Sequence, residues 1–395
     1  MHVPGSGDSG GLNVYVRNLA IALSRAGLRC DIYTRRDDPD LPDRSPLAAH
    51  ADVIAVDAGP AERIAKADAS AYLPEFTRVV TDAATDGVYD IVHSHYWMSG
   101  IAALDVGSKL DLPIVHTAHT LSPVRALPDG GAQRVEAERE LARRADLLVA
   151  NTPFDAQALA TAFQADPACV DVIPPGVDHD LFTPGDKATA RQYSDLDGDR
   201  LVVLYAGRIQ RLKGADLVTD ALIRLSGRRP DLANRVTLIV AGGPSGADGD
   251  DTFSLMRAQA MHPAMQAEVR FVDPLPQCEL VNLYRAADVC VVPSRSETFG
   301  LVALEAQACG LPVVATDVDG LGYVVGPSGG LVVPSASAEL ISHELERVLD
   351  DDSLRGRLAR GAQVDAARFS WGVTAARHCL AYGELLAPDG VAICG

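Results

Sequence analysis

The chain has 395 residues, of which 47% are hydrophobic and 22% charged, and its formal net charge is −18. That length suffices for two domains with complete cores, and the acidic balance argues against a nucleic-acid partner. No apolar run reaches the roughly 18 residues of a membrane span and no signal-peptide pattern opens the sequence, so we expect a cytoplasmic protein without a membrane partner.

Short runs rich in Val, Ile and Leu alternate with helical stretches, which is typical of an α/β protein with parallel sheets. The strands are apolar almost throughout, which indicates doubly wound sheets covered by helices on both faces. We expect strands at Arg29–Thr34, Ile91–His95, Ile114–Ala118, Leu147–Asn151, Val170–Ile173, Leu201–Ala206, Val236–Ala241, Val269–Val272, Val289–Pro293 and Val313–Thr316.

A stretch rich in Pro and Gly, residues 174–185, predicts the junction between two similar halves. We therefore expect two Rossmann-like domains, residues 1–180 and 181–370, followed by a C-terminal helix in residues 371–395. Ligands of doubly wound sheets bind at the carboxyl ends of the strands, so the predicted site is the cleft between the halves.

Near the start, residues 5–11 contain the dinucleotide-binding pattern GxGxxG, and Asp31 follows about 20 residues later. Only four residues precede Gly5, which leaves no room for the strand that such a motif requires. The alternative interpretation is a flexible glycine loop that leads into a helix over residues 12–26 and offers backbone amides to substrates.

Four histidines, His93, His95, His116 and His119, lie at predicted strand ends and suggest a zinc site, because HxH and HxxH can each present two imidazoles. No Cys or carboxylate lies close enough in sequence to complete a ligand set. We interpret His93 and His116 as buried strand histidines. The seven cysteines are scattered without a CxxC pair, which fits structural thiols in a reducing compartment.

In the second half, the apolar strand 201–206 is followed by Gly207, Arg208 and, five residues later, Lys213. A guanidinium can bind two oxygen atoms at once and an ammonium adds a point charge, so this loop suits a diphosphate.

A second motif follows the apolar strand that ends at Pro293, where two glutamates, Glu297 and Glu305, bracket Gly300. The first amides of a helix attract phosphate, and Gly300 lets a ligand approach the backbone. Glu305, about two turns into the helix, can accept hydrogen bonds from the vicinal hydroxyls of a ribose, and Glu297 can do so for a sugar.

Together these motifs resemble the donor site of retaining nucleotide-sugar glycosyltransferases with the GT-B fold, a family that includes sucrose-phosphate synthases. The resemblance covers nearly the whole chain and implies that Glu297 contacts the donor sugar, Glu305 holds the ribose, and Arg208 with Lys213 neutralises the departing diphosphate. It also implies that His119 lies against the donor sugar and that the last helix returns to the first domain. The implied catalytic residues are His119, Arg208, Lys213 and Glu297, and the implied donor site is Gly11, Arg208, Lys213, Leu275, Glu297, Phe299, Gly300, Leu301 and Glu305.

The first half resembles more narrowly the inositol-phosphate glycosyltransferases of mycothiol biosynthesis, which transfer N-acetylglucosamine from UDP-N-acetylglucosamine to 1D-myo-inositol 3-phosphate. A phosphomonoester of about −2 charge needs at least two cations and further neutral donors. The resemblance assigns those roles to Lys66, Arg134, Tyr96 and Thr120. The implied acceptor site is Asp8, Ser9, Gly10, Gly11, Leu12, Asn13, Lys66, Tyr96, Thr120 and Arg134.

The same resemblance implies a homodimer, no catalytic cofactor and a possible structural Mg²⁺ on backbone carbonyls of Tyr284, Arg285, Ala287 and Leu311. Two alternatives stay open: a sucrose-phosphate-synthase-like or other hexosyltransferase, and a sugar-nucleotide binder without turnover. Members of the family begin with a strand and a histidine loop before the glycine stretch. Because this chain lacks both, we expect the natural start to lie upstream of Met1.

Overall fold

Strands and helices alternate through the described residues, which are 10–65, 68–121, 131–196 and 198–387 of this computed structural model. Contacts divide them into two units. One consists of Tyr15–Pro175 with the described residues from Trp371 onward, and the other of Gly176–Ser370 with residues 10–14. No helix in these ranges combines the length and apolar character that crossing a membrane would need.

The unit built on residues 15–175 has its described strands in two sheets. The first has the order β1-β3-β2, with β1 and β3 parallel and β2 antiparallel, and the second has the all-parallel order β4-β5-β6-β7. No described strand joins β1 to β4. The elements are α1 (Gly11–Arg25), β1 (Cys30–Arg35), β2 (Arg44–Ala48), β3 (Ala51–Val56), α2 (Leu73–Thr85), β4 (Val92–His95), α3 (Trp97–Leu110), β5 (Ile114–Thr117), α4 (Gly131–Arg144), β6 (Leu147–Ala150), α5 (Pro153–Ala162) and β7 (Val170–Val172).

The last helix, α15 (Trp371–Leu386), belongs to the core of this same unit. The rings of Trp371 and Tyr15 meet edge to face with centroids 5.5 Å apart. Thr374 donates a hydrogen bond of 2.8 Å to the carbonyl of Pro174, and Tyr382 Oη lies 2.6 Å from His93 Nδ1. The C-terminal helix is therefore fixed to the first half of the chain by both apolar and polar contacts.

The other unit is built on a sheet whose described strands are all parallel, in the order β10-β9-β8-β11-β12-β13. Along β8, Val202 and Leu204 face one apolar core while Val203 and Tyr205 face another, so helices cover both faces. The elements are α6 (Lys187–Tyr193), β8 (Leu201–Ala206), α7 (Ala215–Arg228), α8 (Pro230–Ala233), β9 (Val236–Ala241), α9 (Gly249–Ala260), β10 (Glu268–Val272), α10 (Gln277–Ala286), β11 (Val289–Val292), α11 (Leu301–Ala308), β12 (Val313–Thr316), α12 (Leu321–Val324), β13 (Gly330–Val333), α13 (Ala338–Asp350) and α14 (Asp352–Ala366).

The strand order places the two sequence motifs side by side. From β8 the chain proceeds outward through β9 and β10, then returns to pair β11 with β8 before continuing to β12 and β13. The loops that follow β8 and β11 therefore flank the point where the winding direction reverses. That switch point is where ligands bind in sheets of this type.

Candidate active site

The loop after β8 carries Arg208 and Lys213 and is packed tightly against the end of β11. Lys213 closes a short 3₁₀ turn that ends at Gly214, whose φ is +67°. A Cβ atom at Gly214 would lie 2.0 Å from the carbonyl oxygen of Pro293, so only glycine permits this approach. The close packing brings the Lys213 side chain to the loop that follows β11.

Glu297 meets Lys213 on that second loop. Lys213 Nζ lies 2.6 Å from Glu297 Oε2, and the hydroxyl of Ser294 donates a 3.4 Å hydrogen bond to the same oxygen. The loop is anchored further by Arg295, whose two terminal nitrogens each lie 2.7 Å from a carboxylate oxygen of Asp216. The glutamate and the lysine predicted from separate motifs thus form one ion pair.

The helix α11 begins directly after Gly300, which has a φ of +96°. A Cβ at Gly300 would lie 2.5 Å from Leu321 Cδ1, so a side chain here would be both strained and crowded. Phe299 is buried against Phe369, with ring centroids 5.6 Å apart. Its side chain belongs to the core, so any contact of Phe299 with a ligand would come from its backbone.

Glu305 is a buried carboxylate with two side-chain donors. It is the fifth residue of α11, one turn into the helix rather than the two turns expected from the sequence. Tyr284 Oη donates to Oε2 at 2.9 Å, and Gln277 Nε2 donates to Oε1 at 3.0 Å. Burial raises the pKa of Glu305 to about 7, and the two hydrogen bonds oppose that rise. The sequence indicated neither donor, because both come from α10.

In the other unit, Arg134 on α4 contacts two other predicted acceptor residues. Its guanidinium is fully buried and lies 2.7 Å from the carboxylate of Glu138. It also donates to the carbonyl and hydroxyl oxygens of Thr120 at 2.9 and 2.8 Å. The Tyr96 ring centroid lies 5.1 Å from Arg134 Cζ. Glu138 is a partner that the sequence did not identify, and Lys66 lies outside the described residues.

The histidines form a buried cluster at the ends of β4 and β5. His95 Nδ1 lies 3.0 Å from His119 Nε2, His93 contacts Thr117 and Tyr382, and His116 contacts Ser94. Burial lowers the pKa of both His116 and His119 to about 3, so both rings are neutral near pH 7. In the described part of the chain, no three His, Cys, Asp or Glu side chains are arranged to hold a metal.

The described end of the glycine loop lies beside the donor-side residues. A Cβ at Gly10 would lie 3.6 Å from Arg208 Cζ, and one at Gly11 would lie 3.4 Å from Leu301 Cδ1. Leu12 and Asn13 occupy the first turn of α1, whereas Asp8 and Ser9 lie outside the described residues. Leu275, also predicted for the donor site, packs against the core of the same unit.

Three of the four residues whose backbone carbonyls are predicted to bind Mg²⁺, Tyr284, Arg285 and Ala287, lie at the C-terminal end of α10, and Leu311 lies between α11 and β12. The helix ends at Ala286. The amide of Asp288 donates to the carbonyl of Val202 rather than to the carbonyl of Tyr284, as it would if the helix continued. Carbonyl oxygens at the negative end of a helix dipole are hard oxygen ligands of a kind that Mg²⁺ accepts, so this donor set is compatible with such an ion. Its occupancy by Mg²⁺ remains a prediction.

Comparisons with known proteins agree with this architecture. The family model described as Glycosyltransferase Family 4 matches residues 9–181, and the one described as Glycosyl transferases group 1 matches residues 186–365. The chain is 42% identical to a D-inositol 3-phosphate glycosyltransferase of Frankia alni, covering 100% of this chain and 99% of that protein. It is 41% identical to a protein of the same name from Stackebrandtia nassauensis, and the match covers 97% of this chain and 88% of that protein.

Among solved structures, the sucrose-phosphate synthase of Thermosynechococcus elongatus superposes with a TM-score of 0.85 at 31% identity. The match covers 98% of this chain and 96% of that one. The similarity therefore extends over both halves of the chain.

Proposed function

Because the chain belongs to the GT-B glycosyltransferases, within the family of D-inositol 3-phosphate glycosyltransferases, we propose that it transfers N-acetylglucosamine from UDP-N-acetylglucosamine to 1D-myo-inositol 3-phosphate. The reaction would retain the anomeric configuration and begin mycothiol biosynthesis. The observation that carries the acceptor assignment is the buried guanidinium of Arg134, gathered with Thr120 and Tyr96 into one polar cluster.

On the donor side, the residues around β8 and β11 have the charges that a nucleoside diphosphate sugar requires. Arg208 and Lys213 would bind the diphosphate, and the amides at the start of α11 would add hydrogen bonds as charge develops on it. Glu305 would accept hydrogen bonds from the ribose hydroxyls, and Glu297 from the sugar.

The transfer needs no protein nucleophile. The bond between the anomeric carbon and the diphosphate breaks, and an inositol hydroxyl forms its bond to that carbon on the same face. The hydroxyl proton passes to the departing phosphate oxygen, whose negative charge Arg208 and Lys213 stabilise. His119, neutral because burial lowers its pKa to about 3, would orient the sugar by hydrogen bonding.

On the acceptor side, Arg134 would bind the phosphomonoester with help from Thr120, Tyr96 and Lys66. The Arg134 guanidinium already uses Nε for Glu138 and Nη2 for Thr120. Its remaining terminal nitrogen, Nη1, is 3.4 Å from the Tyr96 hydroxyl, so these two groups could together donate to one phosphate.

The second candidate is a sucrose-phosphate-synthase-like transferase, favoured by the similarity to the cyanobacterial enzyme. The test is a matrix of two donors, UDP-N-acetylglucosamine and UDP-glucose, against three acceptors: inositol 3-phosphate, unphosphorylated inositol and fructose 6-phosphate. UDP release and product mass would be followed. Turnover with UDP-N-acetylglucosamine and inositol 3-phosphate alone is expected, whereas sucrose phosphate as the main product would support the second candidate. Donor binding without turnover in any pairing would contradict both.

A further inference from the structure

The loop that carries Glu297 is hydrogen-bonded along its length to the last residue of β12 and to the loop that follows it. The hydroxyl of Thr316 donates to the carbonyl of Ser294 at 2.6 Å. The amide of Gly320 donates to the carbonyl of Glu297 at 3.2 Å. Between them, Asp319 Oδ2 accepts the Glu297 amide at 2.9 Å and the Ser296 hydroxyl at 2.5 Å. Both backbone polar groups of Glu297 are thus held by residues 319 and 320.

Asp319 adopts an uncommon backbone conformation to make these bonds. Its φ is +47°, in the left-handed region that non-glycine residues seldom occupy and that Asp tolerates better than most. The carboxylate accepts charge-assisted hydrogen bonds, which are stronger than those to a neutral acceptor. The conformation therefore serves to direct a strong acceptor at the amide of Glu297.

We propose that Asp319 is a positioning residue that holds Glu297 in the orientation required for the donor sugar. The inference rests on the proposed function, because it assigns the sugar contact to Glu297. Lys213 fixes only the end of the Glu297 side chain, at a distance of 2.6 Å, so the direction in which that side chain leaves the loop depends on the backbone held by Asp319.

This role predicts different effects on binding of the donor sugar and on binding of the nucleotide. The carboxylate of Asp319 bonds to Ser296 and Glu297, whereas Glu305 is held by Tyr284 and Gln277. Loss of the Asp319 carboxylate should therefore weaken use of the intact UDP-sugar and leave the affinity for UDP unchanged. A merely structural defect would weaken both.

The experiment uses three variants of the full chain. Asp319→Gly removes the carboxylate while glycine accepts the left-handed φ without strain. Asp319→Asn keeps an oxygen acceptor without the charge. Asp317→Asn is the matched control, because Asp317 is exposed on the same loop and loses the same charge. The measurements are kcat and KM for UDP-N-acetylglucosamine, the Kd for UDP by calorimetry, and the hydrogen-exchange rate of the Glu297 amide.

For Asp319→Gly we expect kcat/KM for the donor to fall about tenfold or more, as for loss of a hydrogen bond to a charged group. The Kd for UDP should stay within about twofold, and the Glu297 amide should exchange about tenfold faster or more. Asp319→Asn should lower kcat/KM by a smaller factor, and Asp317→Asn should have the kcat/KM of the wild type. Unchanged kcat/KM, equal losses in kcat/KM and UDP affinity, or unchanged exchange would each overturn the positioning role. A wild-type chain without turnover would instead overturn the proposed function, while the exchange of the Glu297 amide would still test whether Asp319 holds it.

Discussion

Lys213 Nζ lies 2.6 Å from Glu297 Oε2, which joins the loop after β8 to the loop after β11. The two side chains are 21% and 16% exposed, so water screens the pair only partly. An incoming diphosphate would give the Lys213 ammonium a second anionic partner. The ion pair therefore links the two loops before the donor binds, and the diphosphate would bind the ammonium without needing Glu297.

If Lys213 stabilises the leaving diphosphate, then Lys213→Ala should lower kcat by about two orders of magnitude or more. Lys109→Ala removes the same charge from an exposed position on α3 and should leave kcat unchanged. Steady-state rates of UDP release would compare the two. An unchanged kcat in Lys213→Ala would exclude the assigned role.

Nucleotide binding should depend on pH through Glu305. Burial raises its pKa to about 7 in the free protein, and ribose hydroxyls form stronger hydrogen bonds to the ionised carboxylate than to the neutral acid. The affinity for UDP should therefore increase as pH rises from about 6 to about 8 and level off above that range. Calorimetric Kd values across the range would measure the effect.

Tyr284→Phe tests whether that pH dependence belongs to Glu305. The Tyr284 hydroxyl lowers the pKa of the carboxyl, so its removal should displace the binding curve to higher pH. Ionisation of the UDP phosphates is common to both proteins and cancels in the comparison. Superimposable curves would assign the titration to another group.

Arg134→Lys should raise the KM for inositol 3-phosphate about tenfold or more and leave the KM for the donor unchanged. Lysine keeps the charge but loses the planar donors that reach both oxygens of Thr120. Arg139→Lys, partly exposed on the same helix, is the matched control. Lys66→Ala is expected to raise the same KM. A higher donor KM in either acceptor variant would contradict the assignment.

The unit that contains the histidine cluster should lose stability in acid. Burial lowers the pKa of His378 to about 4, whereas its ordinary value is 6.5, so the stabilisation is complete above 6.5 and is lost as the pH falls toward 4. The titration of His378 alone should lower the free energy of unfolding by about 2 kcal/mol at about pH 5, compared with its value above pH 6.5.

His378→Leu should reduce that loss by about the same 2 kcal/mol, because leucine cannot take up the proton. At about pH 7.5 the similar side-chain volume should limit the cost to about 1.5 kcal/mol. The chain's two tryptophans, Trp97 and Trp371, are buried in this unit, so urea unfolding followed by their fluorescence monitors it directly. An unaltered pH dependence would show that His378 does not titrate in this range.

Chelation should leave turnover largely intact, because Arg208 and Lys213 would neutralise the diphosphate without a metal. An ion at the end of α10 would instead appear as a lower melting temperature in EDTA. Activity strictly proportional to Mg²⁺ would contradict the mechanism.

The predicted strands all occur, each within one residue of its expected ends, and the GT-B fold and glycosyltransferase family are confirmed. These strands could be predicted because each is a nearly continuous run of apolar residues. The sequence did not predict β2, β3 or β13, because β2 contains Pro46, β3 contains Asp52 and β13 begins with Gly330. The purely parallel expectation is wrong for β2, which pairs antiparallel with β3.

Within the candidate site, local motifs revealed the loop residues but not their supports. Lys213, Glu297 and Gly300 stand in patterns whose chemistry is readable from neighbouring residues. Asp319 and Tyr284 do not belong to such a local pattern, because each forms its hydrogen bond with a residue more than 20 positions away. Such contacts depend on which strands and helices become neighbours, and a single sequence does not contain that information locally.

The packing of α15 against α1 has a consequence for synthesis on the ribosome. The core that contains Tyr15 is completed by Trp371 and Tyr382, so its final piece emerges only after residues 176–370 have been made. The later segment can thus mature first, while the earlier one waits until α15 has been made. During that interval the incomplete apolar surface is open to chaperones.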